Sequence, residues 1–217
     1  MLTREREQVA AAARRLAASG LVSGTNGNVS ARAGDLVAVS PTGAQLAELD
    51  AGDVPVVDLG GALRHGALAP TSELGLHLGV YARYATGALV HAHAPMATAL
   101  SCVLDEVPLV HYEMLALGGA VRVAPYATFG SPELAAAVVE ALDGRTAALM
   151  ANHGVVAHGP DLAAALRATD LLEWACTVYW RAAQLGTPRT LSDADAQAIV
   201  DQVTSTGYGA TRPAEQE

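Results

Sequence analysis

At 217 residues, with 51% hydrophobic and 16% charged side chains, the chain has the make-up of one globular domain and lies far from the disordered class. A formal net charge of −9 argues against a nucleic-acid backbone as the main partner, and an anionic ligand would need local donors because the overall field opposes it. No stretch approaches a membrane span, and the charged start at residues 1–8 has no long apolar run behind it, so a cytoplasmic protein is expected.

Taken in chain order, residues 4–18 are rich in helix formers and Gly20 follows as a stop signal. Residues 36–39 and 54–57 are short strand-like runs bounded by Gly, Pro and Asp. Ser72 is expected to cap a helix over 73–84. Residues 88–93 read as a buried strand ending in two histidines, and 94–103 as a helix with Pro95 in its first turn. A short helix follows over 112–117, then a strand over 121–124. Ser131-Pro132-Glu133 starts a helix that ends near Gly144. Two strands, 147–151 and 155–158, flank Asn152-His153-Gly154. The longest helix spans 162–185, and Ser192 caps a last one that fades near Thr204. Residues 1–208 therefore form one α/β domain of α+β type, a central, mostly antiparallel sheet covered by helices, and 209–217 are expected to be a mobile tail. Aromatics are scarce at 4%, so the core must be built from small aliphatic side chains. Cys102 and Cys176 sit in apolar, helical surroundings and read as buried, reduced thiols.

The sharpest local feature is His91-Ala92-His93. Residues i and i+2 of a strand share a face, so two imidazoles converge at the end of a buried strand. Neutral imidazole is a common zinc ligand, although such a pair alone also fits two hydrogen-bonded structural histidines. His153 is a third candidate, in a tight break beside Gly154. Glu73 is the acid candidate; alone it also fits a carboxylate placed to favour a helix dipole. His65, His77, His111 and His158 are assigned structural or surface roles.

Three turns are rich in small residues and free donors: Gly24-Thr25-Asn26-Gly27-Asn28, Ser40-Pro41-Thr42-Gly43 and Thr71-Ser72. Each alone is an ordinary loop; together they could cradle a phosphate.

In order and spacing these segments resemble the class II aldolase/adducin family. The resemblance runs through Gly24 to Ser30, Ser40 to Gly43, Pro70-Thr71-Ser72-Glu73, Val90-His91-Ala92-His93-Ala94, His111-Tyr112, Ala124 to Gly130 and Asn152-His153-Gly154. It implies that His91, His93 and His153 bind zinc, with Glu73 ligating the resting metal before acting as acid/base. It implies phosphate contacts from Gly27, Asn28, Thr42, Gly43, Thr71 and Ser72. Tyr112 matches a tyrosine that reaches a neighbouring subunit's site and helps protonate the departing aldehyde oxygen, which implies a homotetramer. Tyr208 matches a tail tyrosine placed over the site, and Phe129 is given a packing role near it. The implied reaction is retro-aldol cleavage of a ketose 1-phosphate, of the L-fuculose-1-phosphate type, to dihydroxyacetone phosphate or a related fragment and a small aldehyde.

The family also holds other chemistries. His111-Tyr112-Glu113-Met114 looks like the His-x-Glu-Met context of methylthioribulose-1-phosphate dehydratases, which places Glu113 beside Glu73 as a candidate. Sugar-phosphate 4-epimerases typically carry Asp where Glu73 stands, and adducin-like scaffolds lack the intact metal set.

Overall fold

The computed structural model describes residues 1–206 and Tyr208; the tail expected at 209–217 lies outside the described residues. The order is α1 (Thr3–Ala18), β1 (Asn28–Ala33), β2 (Leu36–Val39), β3 (Val56–Asp58), β4 (Leu63–His65), α2 (Leu74–Arg83), β5 (Ala88–Ala92), α3 (Pro95–Ser101), β6 (Glu106–Val107), β7 (Val121–Ala124), α4 (Pro132–Ala141), β8 (Ala147–Met150), β9 (Gly154–Gly159), α5 (Leu162–Leu185) and α6 (Asp193–Thr206). Short 3₁₀ turns cover Leu46–Glu48, Ala51–Asp53 and Tyr112–Leu117. Among the described residues no helix is long and apolar enough to cross a membrane.

The nine strands form one sheet in the order β4-β3-β2-β1-β5-β9-β8-β7-β6. Every pair is antiparallel except β7 with β8. This is the expected single domain with a mostly antiparallel sheet. Period-two alternation sorts the strand residues into two cores. Val29, Ala31, Val90, Ala92, Leu149, Val155 and Ala157 pack with α1, α3 and α5. Val37, Val39, Leu89, Ala148, Met150 and Val156 face the opposite way, against α2 and α4. The side chains are small, so the layers pack closely despite few aromatics.

Several local expectations need correction. Asn28–Ala33 is a central strand, although its start reads as a turn in the sequence. The helix after Thr71 begins at Leu74, and Ser72 does not cap it; the Thr71 hydroxyl accepts the Glu73 N–H instead, at 3.2 Å. The chain already turns at Thr71, where its carbonyl accepts the Leu74 N–H, so Ser72 lies inside the turn. Strand β5 ends at Ala92, one residue before His93. Cys176 is buried, but α3 stops at Ser101 and leaves Cys102 exposed at its cap; both thiols are free.

Candidate active site and metal centre

Asn28 of β1 pairs directly with His91 of β5, so both side chains lie on the sheet face covered by α2. Strand β9 flanks β5 on its other side, with Val155 opposite Ala92. The turn from Met150 to Gly154 carries His153 to the same place. It needs an unusual backbone: Asn152 is left-handed, with φ of 54°. Gly154 passes so close to β5 that a Cβ there would sit 2.4 Å from the Ala92 carbonyl and 3.1 Å from the His93 ring. Absence of a side chain at Gly154 therefore lets the third histidine approach the other two.

One nitrogen from each of His91, His93 and His153 lies within 4.8 Å of the others. Their rings meet edge to face, with centroids 4.9–5.2 Å apart. His91 Nδ1 lies 2.9 Å from the Val155 carbonyl, which can only accept, so Nδ1 carries the proton and Nε2 presents a lone pair. That Nε2 is 3.2 Å from His93 Nε2 and 3.1 Å from Glu73 Oε2. Glu73 sits at the N-terminus of α2, with Oε2 accepting from Asn28 Nδ2 at 2.9 Å. Its other oxygen, Oε1, is buried without a hydrogen-bond partner, 3.6 Å from His153 Nε2. Lone pairs crowded around an unpartnered buried carboxylate oxygen call for a cation among them, and three imidazoles plus one carboxylate fit a divalent metal.

The protonation states agree with this. Burial pushes His93 down to about 4, helped by its histidine neighbours, and lowers His153 in the same direction. Both rings are thus neutral, the form that ligates metal. Burial opposes the charge on Glu73, but the closeness of His91, the hydrogen bond from Asn28 and the nearby His153 outweigh it and hold the carboxyl down at about 2.

A cavity of about 370 Å³ opens beside the histidines. It is lined by Gly27, Asn28, Thr42, Gly43, Thr71 and Ser72, all the residues read as phosphate contacts, together with Glu73, His93 and His153. None of its lining residues is Lys or Arg. The backbone N–H groups of Gly27, Gly43 and Ser72 donate to no described residue and remain available. Gly27 adopts φ of 80°, and a Cβ there would press on Val22 and the His91 carbonyl. Asn152 and the exposed rings of Tyr126 and Phe129 complete the wall; two of these three were missed in the sequence.

Three candidates lie elsewhere. The Tyr112 hydroxyl is 3.2 Å from that of Tyr208, and both line a separate apolar groove between the Tyr112–Leu117 turn and α6. Glu113 borders that groove and a further cavity against Trp174. His77, taken from sequence as merely structural, is wholly buried and bonded to Asn28 at 2.5 Å. Its place one turn beyond Glu73 on α2 was the available signal.

Residues 7–180 match the family model described as the class II aldolase and adducin N-terminal domain. The chain is 37% identical over 204 residues to a 5-methylthioribulose-1-phosphate/5-deoxyribulose-1-phosphate aldolase of Rhodospirillum rubrum, covering 93% of this chain and 92% of that one. It is 35% identical to a 5-deoxy-D-ribulose 1-phosphate aldolase of Bacillus thuringiensis serovar kurstaki, over 96% of this chain and 99% of that one. A solved L-fuculose 1-phosphate aldolase superposes with a TM-score of 0.89 at 32% identity, covering 93% of this chain and 96% of that one. The chain belongs to the class II aldolase and adducin family. With its three histidines intact, it is a metal-dependent class II aldolase.

Proposed function

We propose that the enzyme cleaves a ketose 1-phosphate between C3 and C4, giving dihydroxyacetone phosphate and a small aldehyde. A 5-deoxypentulose 1-phosphate is the preferred substrate, ahead of L-fuculose 1-phosphate. The observation that carries the reaction is Glu73, a buried carboxylate with one oxygen committed to Asn28 and one unpartnered beside three imidazoles. Two relatives named for 5-deoxyribulose 1-phosphate support the substrate. So do Phe129 and Tyr126, whose aromatic faces suit a methyl or methylthio terminus better than one with a further hydroxyl.

Zinc held by His91, His93, His153 and, at rest, Glu73 would supply Lewis-acid stabilisation of the negative charge that develops as the bond breaks. The chain's own groups do the rest. Gly27, Asn28, Thr42, Gly43, Thr71 and Ser72 hold the phosphate with neutral donors and fix the sugar's register. The C4 hydroxyl loses its proton, its oxygen becomes the aldehyde carbonyl, and the C3–C4 electron pair passes toward C2. Glu73 Oε1 is the group that moves the proton at C3. Tyr112 of a neighbouring copy exchanges the proton on the C4 oxygen, with Tyr208 beside it, in a fourfold homotetramer. The free cysteines fit a reducing cytoplasm.

The test is a panel of ketose 1-phosphates with dihydroxyacetone phosphate detected as product. Two fragments, fastest from the 5-deoxypentulose, are expected. A product that keeps all carbons in one molecule would overturn the reading.

A further inference from the structure

Behind Glu73 and Asn28 lies a line of three buried polar side chains, His77, Ser30 and Tyr81, that the reaction as written does not use. Glu73 Oε2 accepts from Asn28 Nδ2 at 2.9 Å, and Asn28 Oδ1 faces His77 Nε2 at 2.5 Å. His77 Nδ1 is 2.6 Å from Ser30 Oγ, which is 2.7 Å from the Tyr81 hydroxyl. All five residues are buried, and Ser30 and His77 are fully so. Asn28 and Ser30 alternate on one face of β1; His77 and Tyr81 are one turn apart on α2. The line therefore spans the sheet–helix interface.

Its direction is fixed from one end. An ionised carboxylate only accepts, so Asn28 must turn its NH₂ toward Glu73. The Asn28 carbonyl then faces His77, which requires the proton on Nε2. His77 Nδ1 is left with a lone pair and must take the Ser30 hydroxyl proton. The Ser30 oxygen in turn accepts from Tyr81. No other assignment satisfies every atom from Glu73 Oε2 to the Tyr81 hydroxyl.

We propose that His77 is a positioning residue for the lyase reaction: it locks the Asn28 amide so that Glu73 Oε2 is tied down and Oε1 alone is presented to the substrate. Without the Nε2 proton the amide is free to flip. Its carbonyl would then oppose the carboxylate, and Glu73 would lose its fixed rotamer. The inference rests on Glu73 being the proton-transfer group.

Kinetics, bound metal and the imidazole ¹⁵N spectrum of the full-length enzyme test it together. His77→Leu should lower kcat by roughly tenfold to a hundredfold, the scale of one misplaced charge-assisted hydrogen bond, while KM and metal per chain hold. His77→Gln keeps a donor toward Asn28 and should recover most of the loss. In a Glu73→Gln background His77→Leu should cost little more, since the group it positions is already disabled. Should His77→Leu fail to fold, Ser30→Ala removes the proton given to Nδ1 and should lower kcat in the same direction. The wild-type spectrum should show His77 protonated at Nε2 only. Equal kcat in all variants, losses that add to Glu73→Gln, or an Nδ1–H tautomer would overturn the proposal. A wild-type enzyme that shows the Nε2–H tautomer but makes no two-fragment product would sink the proposed reaction and leave the locked line standing.

Discussion

Glu73 and Tyr112 both stand at the start of a helical turn, in opposite surroundings. Glu73 is 6% exposed and enclosed by three histidines, Asn28 and the α2 backbone, with His91 held by the Val155 carbonyl and Asn28 by His77. Tyr112 is 36% exposed and touches Tyr208 across a groove whose lining residues Val200 and Val203 are also exposed. Its hydroxyl is pushed up to about 12 by its bond to Tyr208 and that neighbour's charge, so it keeps its proton near neutrality. One region is finished by a single chain. The other presents its groups outward, and in the proposed reaction these serve a second copy.

The comparison breaks most sharply at the histidines. His153→Ala should cost roughly 10³-fold or more in cleavage and release the metal, because one of three ligand nitrogens is gone. His153 is only partly buried, so its loss should leave the fold nearly as stable. His91→Ala should lose the metal too, and also about 1–3 kcal/mol of stability, because it strands the buried Val155 carbonyl. Elemental analysis and thermal unfolding of the two variants separate ligand from scaffold. Equal stability losses would contradict the assignment of His91 to both roles.

Next in size is Glu73→Gln, which keeps the shape and one acceptor but removes the carboxylate proposed to move the proton. A loss of roughly 10²-fold in kcat is expected, with KM much less changed. A change confined to KM would mean that Glu73 holds the substrate rather than moves a proton.

Gly154→Ala should act on the same region more gently. The added methyl meets the Ala92 carbonyl and the His93 ring, so the strand ends must part. About 1–3 kcal/mol of stability should go, along with weaker metal binding, read by unfolding and by competition with a chelator. Full metal affinity in this variant would show that the histidines tolerate the shift.

How much of this was legible depends on whether the cause was local. The His-x-His pair could be read because strand period alone puts both imidazoles on one side. Helix α5 matched its expected span because a long apolar stripe is bounded by Asp161, Gly186 and Pro188. Strand β1 was hidden because Asn28, Ser30 and Arg32 look like solvent-facing positions. In the fold, Asn28 and Ser30 are buried against His77, a partner 47–49 residues away that no window contains. The Ser72 cap failed for the opposite reason: a correct local signal lost to Thr71, which turns the chain first. Tyr112 and Tyr208 were named by resemblance, and within one chain nothing brings them to Glu73.

The open region is sharpened by mixing. Tyr112→Phe and His91→Ala proteins should each be poorly active alone and regain part of the activity together, through sites that combine a good histidine set with a neighbour's tyrosine. A fully active monomer by light scattering would remove the need for a second copy.

The smallest expected effect belongs to Glu113, and it discriminates between chemistries. Glu113 follows Tyr112 in a 3₁₀ turn, where successive side chains diverge by about 120°. Glu113 shares the groove beside α6 with Tyr112 and also borders the cavity beside Trp174. Its own N–H is bonded to His111 Nδ1, which pins the start of the turn. Within the chain it lines the cavity beside Trp174, not the one that holds Glu73. Glu113→Gln should thus change kcat and KM by about twofold or less, the range of an ordinary surface substitution, and the product should still be two fragments. A dehydratase would need Glu113 as its proton-transfer group, so the same variant would then be the crippled one and Glu73→Gln the mild one. Counting carbons in the product of each variant ties the residue to the chemistry, because an aldolase that loses Glu73 slows without changing what it makes.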